Sequence, residues 1–283
     1  MRRGLPILLV LALAGCGGRM DVGSVMSAAQ TMITQGPGAV TGAFADMDEP
    51  QEIELGRAVT ANVGSRYKLL RDPALTGYVA QVGNVVAARS ERPDLRYYFA
   101  VLDAPEVNAF AAPGGYVFIT RGSLMLMRDE AMLAGVLGHE VAHVALRHGV
   151  EAIKAQKRKD LAVLGLQQGL RFTSAAPFTQ AISLAADTVA EQIVLKGFSR
   201  AEEEEADRAG FQYARAAGYD PAGLRDFLAA LVQRGAGDTR TATFFSTHPG
   251  TEDRMKEQEK LLAAAAGRGQ RNPDRFAKAV ASR

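Results

Sequence analysis

From Glu52 onward, apolar residues recur at helical spacing. Ile53, Leu55, Val59 and Val63 predict one amphipathic helix, and Leu75, Val79, Val82 and Val86 predict a second over Pro73 to Ser90. The period then switches. Tyr97 to Leu102 and Tyr116 to Thr120 are rich in β-branched and aromatic residues and predict two strands. The segment joining them, Asn108-Ala109-Phe110-Ala111-Ala112-Pro113-Gly114-Gly115, reads either as a plain hairpin connection or as part of an open sheet edge. Along such an edge an extended peptide can add through main-chain hydrogen bonds. Ala131 to Leu146 is apolar on nearly every side and predicts a buried helix, with Asp129 as N-cap and Gly149 just past its end.

Beyond it, Glu151 to Asp160 is charged, and Leu161 to Phe198 is small and apolar with Pro177 dividing it. That stretch fits a helical pair on the core or a mobile cover over a cleft. Ser199 and Glu202 make a capping box that starts another helix. Asp220-Pro221 opens one that runs through Arg234, Gly235 to Thr241 reads as a loop, and a long helix spans Thr251 to about Ala265 before a polar tail, 269–283. The predicted class is α+β, mainly helical, with a small antiparallel or mixed sheet beside the buried helix.

That buried helix carries His139-Glu140-Val141-Ala142-His143, and polar rings inside an apolar helix need a reason. Residues four apart share a helix face, so the two imidazoles can converge on one ion with Glu140 beside them. Two neutral imidazoles and one further protein ligand hold Zn2+ tetrahedrally and leave a position for water, which a carboxylate can deprotonate as it attacks an amide. Only four histidines are present, and three of them, His139, His143 and His148, lie in this segment. His148, five past His143, would point elsewhere on a continuous helix and reads as a helix-end residue favoured by the dipole. A metzincin would need Gly and His where the chain has Leu146 and Gly149, which excludes that class.

Downstream, Glu203 lies in the first turn of a capped helix, and Asp207 shares its face with Gly210. Glu203 is the candidate third ligand, giving a gluzincin-type His2Glu site with one Zn2+ per chain. Glu205 competes for that role on spacing alone. Asp207 could accept the free N–H of a metal-bound imidazole, His139 in the first instance. The isolated His248, in Ser246-Thr247-His248-Pro249, could reach the pocket as a transition-state hydrogen-bond donor or as a reversible fourth ligand.

The N-terminus changes the setting. Arg2 and Arg3 precede an apolar stretch from Leu5 to Ala14, too short to span a bilayer, which needs about 20 residues, so residues 1–15 read as an export signal. Leu13-Ala14-Gly15-Cys16 resembles a bacterial lipobox, which implies cleavage before Cys16, the chain's sole cysteine, and its lipidation. Gly17 resembles the residue found there in lipoproteins sorted to the outer membrane. Residues 16–50 read as a tether, 51–268 as the catalytic domain. Losing Arg2 and Arg3 brings the formal charge of +2 to zero, so nothing favours nucleic acid as a partner.

Taken together these motifs resemble the family of zinc metallopeptidases that contains the CAAX prenyl endopeptidases, HtpX and the beta-barrel assembly-enhancing proteases. The resemblance spans about Glu52 to Ala265 and rests on Asn108 to Gly115, His139-Glu140-x-x-His143, Ser199-Arg200-x-x-Glu203-x-x-Ala206-Asp207, and Thr247-His248-Pro249 followed by Arg254. It selects Glu203 over Glu205 as ligand, gives Asp207 its supporting role, and implies that His248 lies at the zinc, able to close the site. The membrane helices of the CAAX and HtpX branches and the helical-repeat domain of the periplasmic branch are absent from the pattern, so the expectation is a short periplasmic form. It would be lipid-anchored at the periplasmic face of the outer membrane and cut misfolded or stalled envelope proteins, in reach of the barrel-assembly machinery. The alternative is an assembly factor or chaperone with a latent zinc site.

Overall fold

The computed structural model describes residues 47–152, 154–155, 186–187, 189–235, 238–265 and 267–281. The expected signal, Cys16, nearly all of the tether, and most of the apolar stretch 161–198 lie outside the described residues. None of the described helices is long and apolar enough to cross a membrane.

Helix α1 (Glu49–Arg66) starts at Asp48, whose side chain accepts from Gln51 N while the Gln51 side chain returns the bond, and it buries Leu55, Val59 and Val63. Helix α2 (Pro73–Ala87) is capped by Asp72 and buries Leu75, Val79, Val82 and Val86, the predicted stripe. The sheet departs from the hairpin expectation. Strand β1 (Tyr98–Leu102) and strand β3 (Tyr116–Thr120) are parallel neighbours, and the connecting segment itself supplies β2 (Ala109–Ala112), antiparallel on the far side of β3. The reversal between β2 and β3 is a turn at Pro113-Gly114-Gly115 with φ of 74° and 98° at the two glycines. It is pinned by Gly114 N–H donating to the buried Glu52 of α1 at 3.0 Å.

The two faces of this small sheet bury different cores. Val101, Ala109, Ala111, Val117 and Ile119 join α2 and the central helices, whereas Leu102, Phe110, Ala112 and Phe118 face α1 and the residues leading to Phe198. After the short α3 (Arg121–Leu126), the central helix α4 (Glu130–Ala145) begins at N-cap Asp129, as expected, and is buried along its whole length. It is flanked by α5 (Arg200–Ala216) and α6 (Gly223–Arg234) at backbone contact distance. A Cβ on Gly210 would lie 2.6 Å from His139 N, and one on Gly223 would lie 1.9 Å from Ala131 O.

Two further expectations are corrected. Within the stretch read as a loop and its continuation lies α7 (Thr239–Thr247), started by Asp238, whose carboxylate accepts from Arg240 N. After α8 (Thr251–Ala264), the polar tail folds as α9 (Pro273–Val280). Phe276 is buried in the main core, and Arg271 and Arg275 pair with Asp129, Asp226 and Glu130 at the start of α4 and α6. One buried aromatic and ion pairs to buried carboxylates hold what composition alone marks as solvated.

Candidate metal centre and active site

On α4 the four-residue spacing sets His139 and His143 on one face, with their Nε2 atoms 3.1 Å apart. Because α5 crosses α4 at Gly138 and Gly210, its first turn comes level with the imidazoles. Glu203 Oε2 then lies 3.5 Å from His139 Nε2, and Oε1 lies 3.4 Å from His143 Nε2. One turn on, Asp207 Oδ1 is 2.9 Å from His139 Nδ1 and accepts its proton. Tetrahedral bonds of about 2.0–2.2 Å would space ligand atoms by about 3.3–3.6 Å; both Glu203 distances fall in that range, and the two imidazole nitrogens, at 3.1 Å, lie slightly inside it. Two bare nitrogens and a carboxylate facing one another at this distance repel unless positive charge, a metal ion or a proton on His139, lies among them. With His248 included, four residues place ligand atoms within 4.8 Å of one another, all buried. The site therefore suits a metal ion.

Glu140 is 1% exposed, and neither of its carboxylate oxygens has a hydrogen-bond partner among the described residues. Burial pushes its carboxyl above the usual range, against the pull of His248 and His139. Burial also holds His143 down at about 3, so its ring is neutral and ready to ligate. His139 behaves otherwise. Burial and Arg254 lower it, but Glu203 and Asp207 outweigh them and carry it up to about 9 without a metal. Burial would raise Glu203, yet His248, Arg254 and His139 hold it well below the carboxylate range.

His248, at the end of α7, has both ring nitrogens engaged. Nδ1 lies 3.1 Å from Glu203 Oε2, and Nε2 donates to the Ala109 carbonyl at 3.1 Å. Its ring stacks on Phe244 with centroids 4.5 Å apart, and Thr247 Oγ1 donates to Asn108 Oδ1 at 3.2 Å. Asn108, Ala109, Phe110 and Ala111, expected at an open edge, lie in or just before β2, an edge strand of the sheet, and here that edge is covered. All four are buried, because His248 occupies the Ala109 carbonyl and the turn Gln192–Lys196 lies against β2 and α7.

Two residues were missed or misread. Arg254, named by the family pattern without a role, is 2% exposed and clamps both carboxylates: Nε and Nη2 each donate to Asp207 at 2.7 Å, and Nη1 lies 2.7 Å from Glu203 Oε2. On an amphipathic helix half of whose residues are charged, nothing in the pattern marks it as buried. His148 was expected to point away from the metal face, but α4 stops at Ala145 and Arg147 takes a left-handed conformation, φ 62°. Gly149 is thus not the residue that ends the helix. The turn swings His148 Nδ1 to 2.8 Å from His143 Nδ1. A left-handed arginine costs roughly 1–2 kcal/mol. Its ion pair with Glu52 Oε2 at 3.0 Å and its Nη2 hydrogen bond to the Met47 carbonyl at 2.6 Å hold the conformation. Glu205, the rival ligand, is half exposed and faces His148 at 3.4 Å instead of the ion site.

The sequence model of peptidase family M48 matches residues 73–262, well over half of the chain. The chain belongs to peptidase family M48. Among its relatives, the beta-barrel assembly-enhancing protease of Escherichia coli (strain K12) is 27% identical over 239 residues, 84% of this chain and 49% of that protein. The mitochondrial metalloendopeptidase OMA1 of Schizosaccharomyces pombe is 31% identical over 190 residues, 67% of this chain and 54% of that protein. Metalloprotease YcaL of Escherichia coli (strain K12) is 30% identical over 166 residues, covering 59% of this chain and 62% of that protein. The chain spans about half the length of the assembly-enhancing proteases it matches. The M48 membership bears out the metallopeptidase class and the mainly helical fold with its small mixed sheet.

Proposed function

We propose that this M48 chain is a zinc endopeptidase of the bacterial cell envelope that cuts misfolded or stalled outer-membrane proteins. The observation that carries the reading is the convergence of lone-pair donors from α4 and α5 beside a buried carboxylate that accepts no hydrogen bond among the described residues. His139, His143 and Glu203 would hold one zinc, a donor set of two imidazoles and a carboxylate that suits this ion. Bound there, zinc supplies Lewis acidity toward a water and the scissile carbonyl. Glu140 takes the proton of the attacking water as its oxygen bonds to the carbonyl carbon, and passes a proton to the amide nitrogen as the C–N bond breaks. A carboxyl raised by burial is suited to both transfers. Asp207 fixes His139 with Nε2 bare, and Arg254 keeps Asp207 charged and in place.

His248 serves this reading in two positions. Released, its N–H can support the developing oxyanion. Engaged, it covers Glu203 and the Ala109 carbonyl, a main-chain acceptor that an extended substrate would otherwise use on β2. The engaged form is also what favours the second reading, an assembly factor whose site is latent. The envelope setting is supported by the lipobox-like Leu13-Ala14-Gly15-Cys16 and by relatives named as barrel-assembly-enhancing proteases. In it, acylated Cys16 anchors the protein in outer-membrane lipid near the barrel-assembly machinery.

The test is Glu140→Gln. The variant should bind zinc as wild type does and lose at least about a hundredfold in cleavage of casein and of an unfolded outer-membrane β-barrel protein. Cleavage at the wild-type rate would refute the role of Glu140. Full complementation of a deletion by the same variant, with no gain of proteolysis in His248→Ala, would favour the assembly-factor reading.

A further inference from the structure

His143 and His148 meet through the same ring atom, Nδ1 to Nδ1, at 2.8 Å. Two such nitrogens at this distance must share one proton, and the rest of the site decides which ring owns it. Nε2 of His143 faces His139 Nε2 and Glu203 Oε1, the position from which it would bind an ion, so it has to be bare. A neutral imidazole bare at Nε2 carries its proton on Nδ1. His148 must then accept with Nδ1 and keep its own proton on Nε2, and that atom lies 3.4 Å from Glu205 Oε2.

We propose that His148 is the positioning residue for His143: it accepts the Nδ1 proton and fixes the ring and its tautomer, with Glu205 facing its far nitrogen. The inference rests on the metal site read above, and it makes the supports of the two histidines chemically unlike. His139 leans on the carboxylate of Asp207, which Arg254 clamps at 2.7 Å. His143 leans on a neutral ring whose far side reaches a half-exposed carboxylate. Three observations independent of the metal point the same way. The left-handed turn at Arg147, anchored by Glu52 and the Met47 carbonyl, aims His148 backward. Phe198 stacks on His143 with centroids 4.2 Å apart and an interplanar angle of 17°, shielding one ring face. His148 is 4% exposed, so water is poorly placed to substitute for it.

The experiment compares zinc affinity, by competition with a calibrated chelator, in wild type, His148→Phe and His148→Asn. Phenylalanine keeps the ring volume and removes the acceptor, whereas the Asn Oδ1 takes the place of Nδ1. Zinc binding should weaken about 10–100-fold in His148→Phe and stay within about threefold of wild type in His148→Asn. Equal affinity of the Phe variant and wild type, with the metal-free proteins melting alike, overturns the proposal while leaving the zinc site intact. Wild type that takes up no zinc overturns both. Should the Phe variant not fold, zinc-loaded wild type labelled with nitrogen-15 decides. A slowly exchanging His143 Nδ1–H coupled through the hydrogen bond to His148 Nδ1 is the expected result, and a proton on His148 Nδ1 instead refutes it.

Discussion

Arg254→Met tests the electrostatic account of the site most severely, because Arg254 is buried to 2% exposure with a carboxylate on each side. In the metal-free protein at neutral pH, two positive groups, Arg254 and a His139 carried up to about 9, face two negative ones, Glu203 and Asp207. Methionine fills similar volume and removes one positive charge, leaving Asp207 without the two 2.7 Å bonds that hold it at a pKa of about 2. Stranding one partner of a buried ion pair costs about 3–5 kcal/mol. At about 2–4 °C per kcal/mol for a domain of this size, the melting midpoint in chelator should fall by roughly 6–20 °C. Zinc restores positive charge beside Glu203, so the fall should be smaller in the loaded protein. Pairing the change with Asp207→Asn removes the stranded anion as well, so the double variant should recover much of the loss. Thermal unfolding with and without chelator reads all three. A midpoint for Arg254→Met within about 1 °C of wild type in chelator would refute the clamp.

Two further outcomes are expected. Below about pH 9 the metal-free His139 holds a proton that zinc must displace, so zinc affinity should rise about tenfold per pH unit toward 9 and level above it. His143, already neutral above about 3, adds nothing to that slope, and an affinity unchanged from neutral pH to 9 would contradict the assignment. Gly210→Ala would set a Cβ 2.6 Å from His139 N and 2.7 Å from Gly138 C, and helix backbone cannot step aside as a side chain can. It should push α5 away from α4, destabilise by about 1–3 kcal/mol and lower zinc content with it; full metal content at wild-type stability would show that the close crossing does not place Glu203.

Much of the site is local chemistry and was legible as such. The i, i+4 histidines with Glu140, and the capping box that fixes where α5 starts and so where Glu203 and Asp207 fall on it, depend on spacing within one helix. The apolar stripes of α1 and α2 are of the same kind. What tertiary structure decided are relations between segments far apart in the chain. The glycine contact between α4 and α5 sets the distance from Glu203 to the imidazoles, and no periodicity encodes it. Arg254 is buried by two carboxylates that arrive from another helix, so its own polar neighbourhood misleads. His148 turns back because Glu52 and the Met47 carbonyl hold Arg147 in a conformation its own sequence disfavours. Strand β2 was hidden because four small or aromatic residues become a strand only when β3 offers its free edge. Helix periodicity is written in nearest neighbours and can be read from the chain; crossing distance, strand partner and burial of charge are settled only when remote segments meet.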